Sequence, residues 1–148
     1  MDGHFVPNVT FGPQTVADLC RRTQIFLDVH LMMEEPHRFL DAFAEAGSDL
    51  ISIHLEPDYD HAAALSRIRS LGKRSGIVLN PDSSLDLALP FLEQVDLILL
   101  MTVFPGFGGQ AFIPEVLDKV RDLHNLRKKG DMSFLIEVDG GVSPENIA

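Results

Sequence analysis

The chain has 148 residues, enough for one domain with a real core, and its 12 Lys+Arg against 22 Asp+Glu give a formal net charge of −10. That balance argues against a nucleic-acid or anionic-membrane surface, so an anionic ligand has to be held locally, by backbone dipoles or a metal, against the field of the whole molecule. The single cysteine, Cys20, has no partner for an internal disulfide, which fits a reducing cytoplasm. No run approaches the roughly 18 apolar residues of a membrane span, and no signal peptide is expected after Met1-Asp2.

In chain order, Met1 to Asn8 reads as a loop. A helix is expected from Gly12-Pro13, with Val16, Leu19 and Cys20 on one side and Arg21 and Arg22 near its end. Ile25 to Met32 reads as a strand, Pro36 to Ala46 as a helix stopped by Gly47, and Asp49 to Leu55 as the next strand. His61 to Leu71 is helical and Ser75 to Asn80 extended, followed by a short helix over Leu85 to Leu92 and a strand over Val95 to Met101. Pro114 to Lys129 carries Val116, Leu117, Val120 and Leu123 at helical spacing. Phe134 to Asp139 is the last strand, and Ser143-Pro144-Glu145 reads as the start of a helix running to Ala148.

Strand and helix alternate throughout, which implies right-handed βαβ units and a parallel sheet. Within the strands Leu27, Val29 and Leu31 oppose Asp28, His30 and Met32; Ile51, Ile53 and Leu55 oppose Ser52, His54 and Glu56; Ile136 and Val138 oppose Glu137 and Asp139. A sheet covered by helices on both faces should be apolar on both. One face that turns polar toward the strand ends suits a closed barrel with its site at the C-terminal mouth. An open doubly wound sheet is the rival, weakened by the lack of a G-x-G-x-x-G after an early strand. Only five clear strands are present, whereas an eight-stranded barrel takes roughly 200 residues or more, so the barrel is expected to be incomplete.

The strand ending at Met101 empties into Thr102-Val103-Phe104-Pro105-Gly106-Phe107-Gly108-Gly109-Gln110. Three glycines there, Gly106, Gly108 and Gly109, allow positive φ and close approach of N–H groups to a ligand, an arrangement that cradles phosphate without Lys or Arg. The competing reading is an ordinary turn, and the Lys-Ser/Thr ending of a nucleotide loop is absent.

Four blocks, Met1-Asp2-Gly3-His4-Phe5-Val6-Pro7-Asn8, Asp28-Val29-His30-Leu31-Met32, Met101 to Gln110, and Glu137-Val138-Asp139-Gly140-Gly141-Val142, together resemble the ribulose-phosphate 3-epimerase family in order and spacing over essentially the whole chain. The resemblance implies a TIM (β/α)8-type barrel, one partial domain over residues 1–148 running from about the end of strand 2 to strand 7. It also implies metal-dependent interconversion of D-ribulose 5-phosphate and D-xylulose 5-phosphate in the pentose phosphate pathway. Inverting C3 of a 2-keto sugar means removing the proton beside the carbonyl and returning one to the other face, through an ene-diolate. A divalent cation at the C2 and C3 oxygens stabilises the developing charge, and His and Asp ligands suit Zn, Mn, Fe or Co alike.

By resemblance, His30 and Asp139 match metal ligands, and Asp139 also matches one of two proton-transfer groups. Gly106, Phe107, Gly108 and Gly109 match a loop that helps bind the substrate phosphate; Gly140 and Gly141 line the next strand end; Met1, Met32 and Met101 match methionines around the reacting carbons. His54, also inward, matches no family ligand and is taken as a structural or site-lining histidine. The family's His-x-Asp, which supplies two further ligands and the second proton-transfer group, would precede Met1, and its final strand would follow Ala148. The 148 residues alone are therefore expected to bind divalent metal weakly and to epimerise poorly or not at all. A partner is expected in the phosphorylated ketose, none in nucleic acid or membrane, and open barrel edges make a homo-oligomer a further expectation. The rivals are an epimerase of allulose 6-phosphate and a silent fragment or phosphosugar-binding module.

Overall fold

A computed structural model describes residues 1–146. Five parallel strands, β1 (Asp28–Leu31), β2 (Leu50–His54), β3 (Arg74–Leu79), β4 (Leu97–Met101) and β5 (Leu135–Asp139), lie side by side in sequence order. Between and before them run α1 (Pro13–Cys20), α2 (Leu40–Glu45), α3 (His61–Ser70) and α4 (Val116–Lys129). The sheet curls: the carboxyls of Asp28 on one edge strand and Glu137 on the other lie close enough to shift each other's protonation, although three strands separate them. The architecture is an incomplete barrel, concave face inward and helices outside. No helix of the described residues is long and apolar enough to cross a membrane.

The two-residue period of the strands sorts side chains into two cores. Outside, Leu31, Ile51, Ile53, Ile77, Leu79, Ile98 and Leu100 pack under Leu40, Phe43, Leu65, Ile68 and Leu123 of the helices. Inside, Leu50, Val78, Leu97, Leu99, Met101 and Val103 form a smaller cluster with Met32 against it. Ser52, His54, His30, Glu137 and Asp139 fall on that inner face by register, His30 opposite Ser52 and Asp139 opposite Met101. Gly76 is on the same face because a Cβ there would lie 2.8 Å from that of Ser52.

Several elements differ from expectation. The first strand begins at Asp28 rather than Ile25, because Ile25 and Phe26 are 68% and 53% exposed and pairing with β2 starts only at Asp28. The helix expected over Pro36 to Ala46 is a 3-10 turn at Pro36–Arg38 followed by α2, broken at Phe39 (φ −120°, ψ −1°). Leu85 to Leu92 is two 3-10 turns, with Pro90 unable to donate the N–H an α-helix would need. On α1 only Val16 is buried; Leu19 and Cys20 are exposed. On α4, Leu117 and Val120 are only partly buried and line a groove of about 560 Å³ with Ile136 and Val138 on the outer face of β5. That groove is a helix-packing face and lies apart from the inward residues. Ser143 to Asn146 form a turn closed from both ends, and the remainder of the helix expected there lies outside the described residues.

Candidate functional site

The N-terminal loop is tied to the strand ends by one carboxylate. Asp2 Oδ1 accepts the N–H groups of His4 and Phe5 (2.9 and 3.0 Å), and Oδ2 accepts that of Glu34 (2.8 Å), just past β1. Burial pushes the Asp2 carboxyl up, but these N–H bonds outweigh it and hold the group below its ordinary 3.8. A depressed folded value means stabilisation that is present above 3.8 and lost as pH falls through the folded value. Asp2→Asn is thus expected to lower unfolding free energy by about 1 kcal/mol at pH 7, the loop being partly exposed, with the gap to the unaltered chain closing as pH falls below the ordinary carboxylate range. Denaturant melts of both chains across that range check it.

The glycine loop leaves β4 beside this segment. Asn8 Nδ2 donates to the carbonyl of Gly106 (3.1 Å). Gln110 braces the loop from within, its Nε2 donating to the carbonyls of Phe104 (2.6 Å) and Phe107 (2.8 Å). Gly106 and Gly109 take positive φ (124° and 76°), whereas Gly108 does not. The loop is joined to the end of β5 by Thr102, whose N–H donates to the Asp139 carbonyl (2.8 Å) and whose hydroxyl donates to that of Gly140 (2.6 Å). Gly140 and Gly141 also take positive φ (116° and 65°). A cavity of about 310 Å³ results, walled by the loop glycines and Phe107, by Met1, Met32 and Met101, and by Asp139, Gly140 and Gly141. No Lys or Arg lines it. With no cationic side chain in that lining, backbone N–H groups are the donors left for an anion.

An adjoining cavity of about 380 Å³ shares Met1, Met32 and Asp139 and adds His30, Asp28 and the α1 side chains Thr15, Val16 and Leu19. His30 and Asp139 therefore face one space. Burial first, then the neighbouring His54 and the amino terminus, hold His30 well below the ordinary histidine range, so it is a neutral imidazole at pH 7. Glu137 is pushed up by burial and by the charges of Asp28 and Asp139, and Asp28 by burial. Among the described residues no three or more His, Cys, Asp or Glu gather as a metal cluster. A neutral imidazole and a carboxylate on one wall fit a divalent cation as two members of its ligand set.

Sequence reasoning missed what lies behind His30. Its Nε2 is 2.8 Å from Nε2 of His54, which is fully buried under the Phe5 ring (centroids 4.5 Å apart). His54 Nδ1 is 2.8 Å from Glu56 Oε2. Glu56 Oε1 accepts the Asn80 N–H (2.7 Å) and the Ser83 hydroxyl (2.6 Å). Burial pushes Glu56 up, yet the bonds from His54, Asn80 and Ser83 hold it below its ordinary value. Lys119 Nζ braces the supporting loop through the carbonyls of Pro81 (2.6 Å) and Ser83 (2.5 Å). The His54-x-Glu56 spacing, which puts both side chains on one face of a strand, was the available signal.

Residues 1–148 match the model of the ribulose-phosphate 3 epimerase family. The chain is 49% identical to the ribulose-phosphate 3-epimerase of Synechocystis sp., the match covering 99% of this chain and 64% of that protein. It is 47% identical to the enzyme of the same name from Bacillus subtilis, covering 98% of this chain and 67% of that one. It thus spans about two thirds of the length of the curated relatives it matches. Of solved structures, KGPDC from Streptococcus mutans aligns with a TM-score of 0.63 at 17% identity, over 92% of this chain and 62% of that one. The 3-keto-L-gulonate-6-phosphate decarboxylase from Vibrio cholerae aligns at 0.61 and 16% identity, over 92% and 63%. At such identities the likeness is one of fold alone.

Proposed function

Because this chain belongs to the ribulose-phosphate 3-epimerase family, we propose that its residues serve a metal-dependent epimerase that interconverts D-ribulose 5-phosphate and D-xylulose 5-phosphate by moving the C3 proton. The observation that carries the reading is the shared wall: Asp139, Met1 and Met32 border both the glycine-loop cavity and the cavity that holds His30. The substrate's phosphate sits against the N–H groups of the Gly106–Gly109 loop, which fixes the distance from phosphate to C3. Asp139, at the end of β5, removes or returns the proton at C3 on its side. Met1, Met32 and Met101 surround the reacting carbons with apolar, polarisable surface that keeps water off the carbanionic centre. His30 and Asp139 would hold a divalent cation, Zn, Mn, Fe or Co, in part; when bound, the cation supplies Lewis-acid stabilisation of the charge developing on the C2 and C3 oxygens. Residues 1–148 act as one partial barrel domain in this scheme.

The test is a chimera in which these 148 residues replace the matching stretch of the Synechocystis relative, assayed beside the 148-residue chain alone with each metal in turn. The chimera is expected to convert D-ribulose 5-phosphate to D-xylulose 5-phosphate. The chain alone, with two of the ligands the family resemblance implies, is expected to bind metal weakly and turn over poorly or not at all. A folded, metal-loaded chimera without activity rejects the proposal.

A further inference from the structure

We propose that His54 and Glu56 are positioning residues that fix the tautomer of His30, holding its proton on Nε2 and leaving Nδ1 as the lone-pair nitrogen of the site. Protons can be counted along one hydrogen-bonded line, from Glu56 through His54 to His30. Glu56 Oε1 receives two donors, the N–H of Asn80 and the hydroxyl of Ser83, and as a carboxylate the group accepts at both oxygens. Its Oε2 therefore takes a proton from His54 Nδ1. With one proton per ring, and that of His54 on Nδ1, its Nε2 presents only a lone pair. The two Nε2 atoms, 2.8 Å apart, accommodate one proton between them, and it belongs to His30. Among the described residues no hydrogen bond engages His30 Nδ1. A carboxylate two residues along β2's own strand direction thus dictates which nitrogen of a β1 histidine is free.

The arrangement is anchored as a positioning device has to be. Tyr59 donates its hydroxyl to the His54 carbonyl (2.8 Å), and Lys119 pins the loop that carries Ser83. His54 is fully buried, so no water competes for the shared proton. The tautomer assignment rests on this geometry and on one ring proton per histidine; that Nδ1 binds a metal rests on the function proposed above.

The experiment is long-range ¹H–¹⁵N correlation on the ¹⁵N-labelled 148-residue chain, which reads each ring nitrogen as protonated or bare and needs neither sugar phosphate nor metal. The expected result is a bare Nδ1 and protonated Nε2 on His30, with the opposite on His54. A protonated Nδ1 on His30 overturns the proposal. Glu56→Gln supplies the second arm. Asn80 and Ser83 keep the amide oxygen on their side, so the NH₂ group faces His54 Nδ1 and forces it to accept. Both histidines are then expected to invert, and Zn²⁺ titrated while following the His30 nitrogens should bind about 10- to 100-fold more weakly. Unchanged tautomers in a folded Glu56→Gln chain overturn the relay; inverted tautomers with unchanged Zn²⁺ affinity overturn its link to the metal. An inactive chimera, by contrast, bears only on the epimerase reading.

Discussion

Asp139→Asn is expected to lower turnover of the active chimera by about 10²- to 10⁴-fold, the range lost when a positioned general acid–base group is removed. The residue ends β5, paired with Met101, and the cavities meet at its side chain. An amide of the same shape keeps the strand register and the Thr102 N–H bond to the Asp139 carbonyl, so fold and phosphate contacts should survive. The loss should therefore fall on kcat, with KM for the sugar phosphate changed little. Metal affinity should fall as well, because an amide oxygen is a poorer ligand than a carboxylate. Steady-state kinetics at saturating metal, beside a metal titration, separate the two effects. An Asp139→Asn chimera that retained most of its turnover would remove Asp139 from proton transfer.

Gly141→Ala is the substitution expected to damage the site's framework most. At φ 65° a Cβ on residue 141 would lie 2.6 Å from the Phe112 nitrogen, 2.9 Å from its Cα and 3.0 Å from the Gln110 carbonyl oxygen. These are backbone atoms, which no rotamer change can move aside. The cost is the left-handed strain plus displacement of the segment that ends the glycine loop, together on the order of 3 kcal/mol. Moving Gln110 would also loosen its two bonds to the Phe104 and Phe107 carbonyls, so phosphate affinity should fall with stability. Gly108→Ala is the control: nothing lies within 4 Å of its Cβ position and its φ is not positive, so a change under about 1 kcal/mol is expected. Urea unfolding of the two variants, with inorganic phosphate titrated into each, measures both effects.

Much of the fold was legible because strand burial obeys a period of two. Polar Asp28, His30, His54, Glu137 and Asp139 stood out on one face of otherwise apolar strands, and the curled sheet brings that face inward. Boundaries were less legible, since Ile25 and Phe26 have strand-forming side chains but no neighbour to pair with before Asp28. Helices went astray where local chemistry intervened, as at Phe39 and Pro90.

The site divides in the same way. Its glycines, methionines, His30 and Asp139 were named from four contiguous blocks, and they border two adjoining cavities. What no block announced were contacts between distant positions: Asn8 with Gly106, Asp2 with the Glu34 N–H, and His54 with His30. Two of these three end on backbone groups, which every residue type carries, so composition and spacing hold no trace of them. The third depends on a diagonal across β1 and β2, since His30 pairs in register with Ser52 rather than His54.

The most direct test of the central claim is solvent exchange at C3. The chimera is incubated with D-ribulose 5-phosphate in D₂O and the sugar carbons are followed by NMR. Proton removal and return at C3 predict D-xylulose 5-phosphate carrying deuterium at C3 and nowhere else, its formation slowed by Asp139→Asn as much as turnover is. Product with hydrogen retained at C3, or deuterium at C1 in its place, would contradict the account.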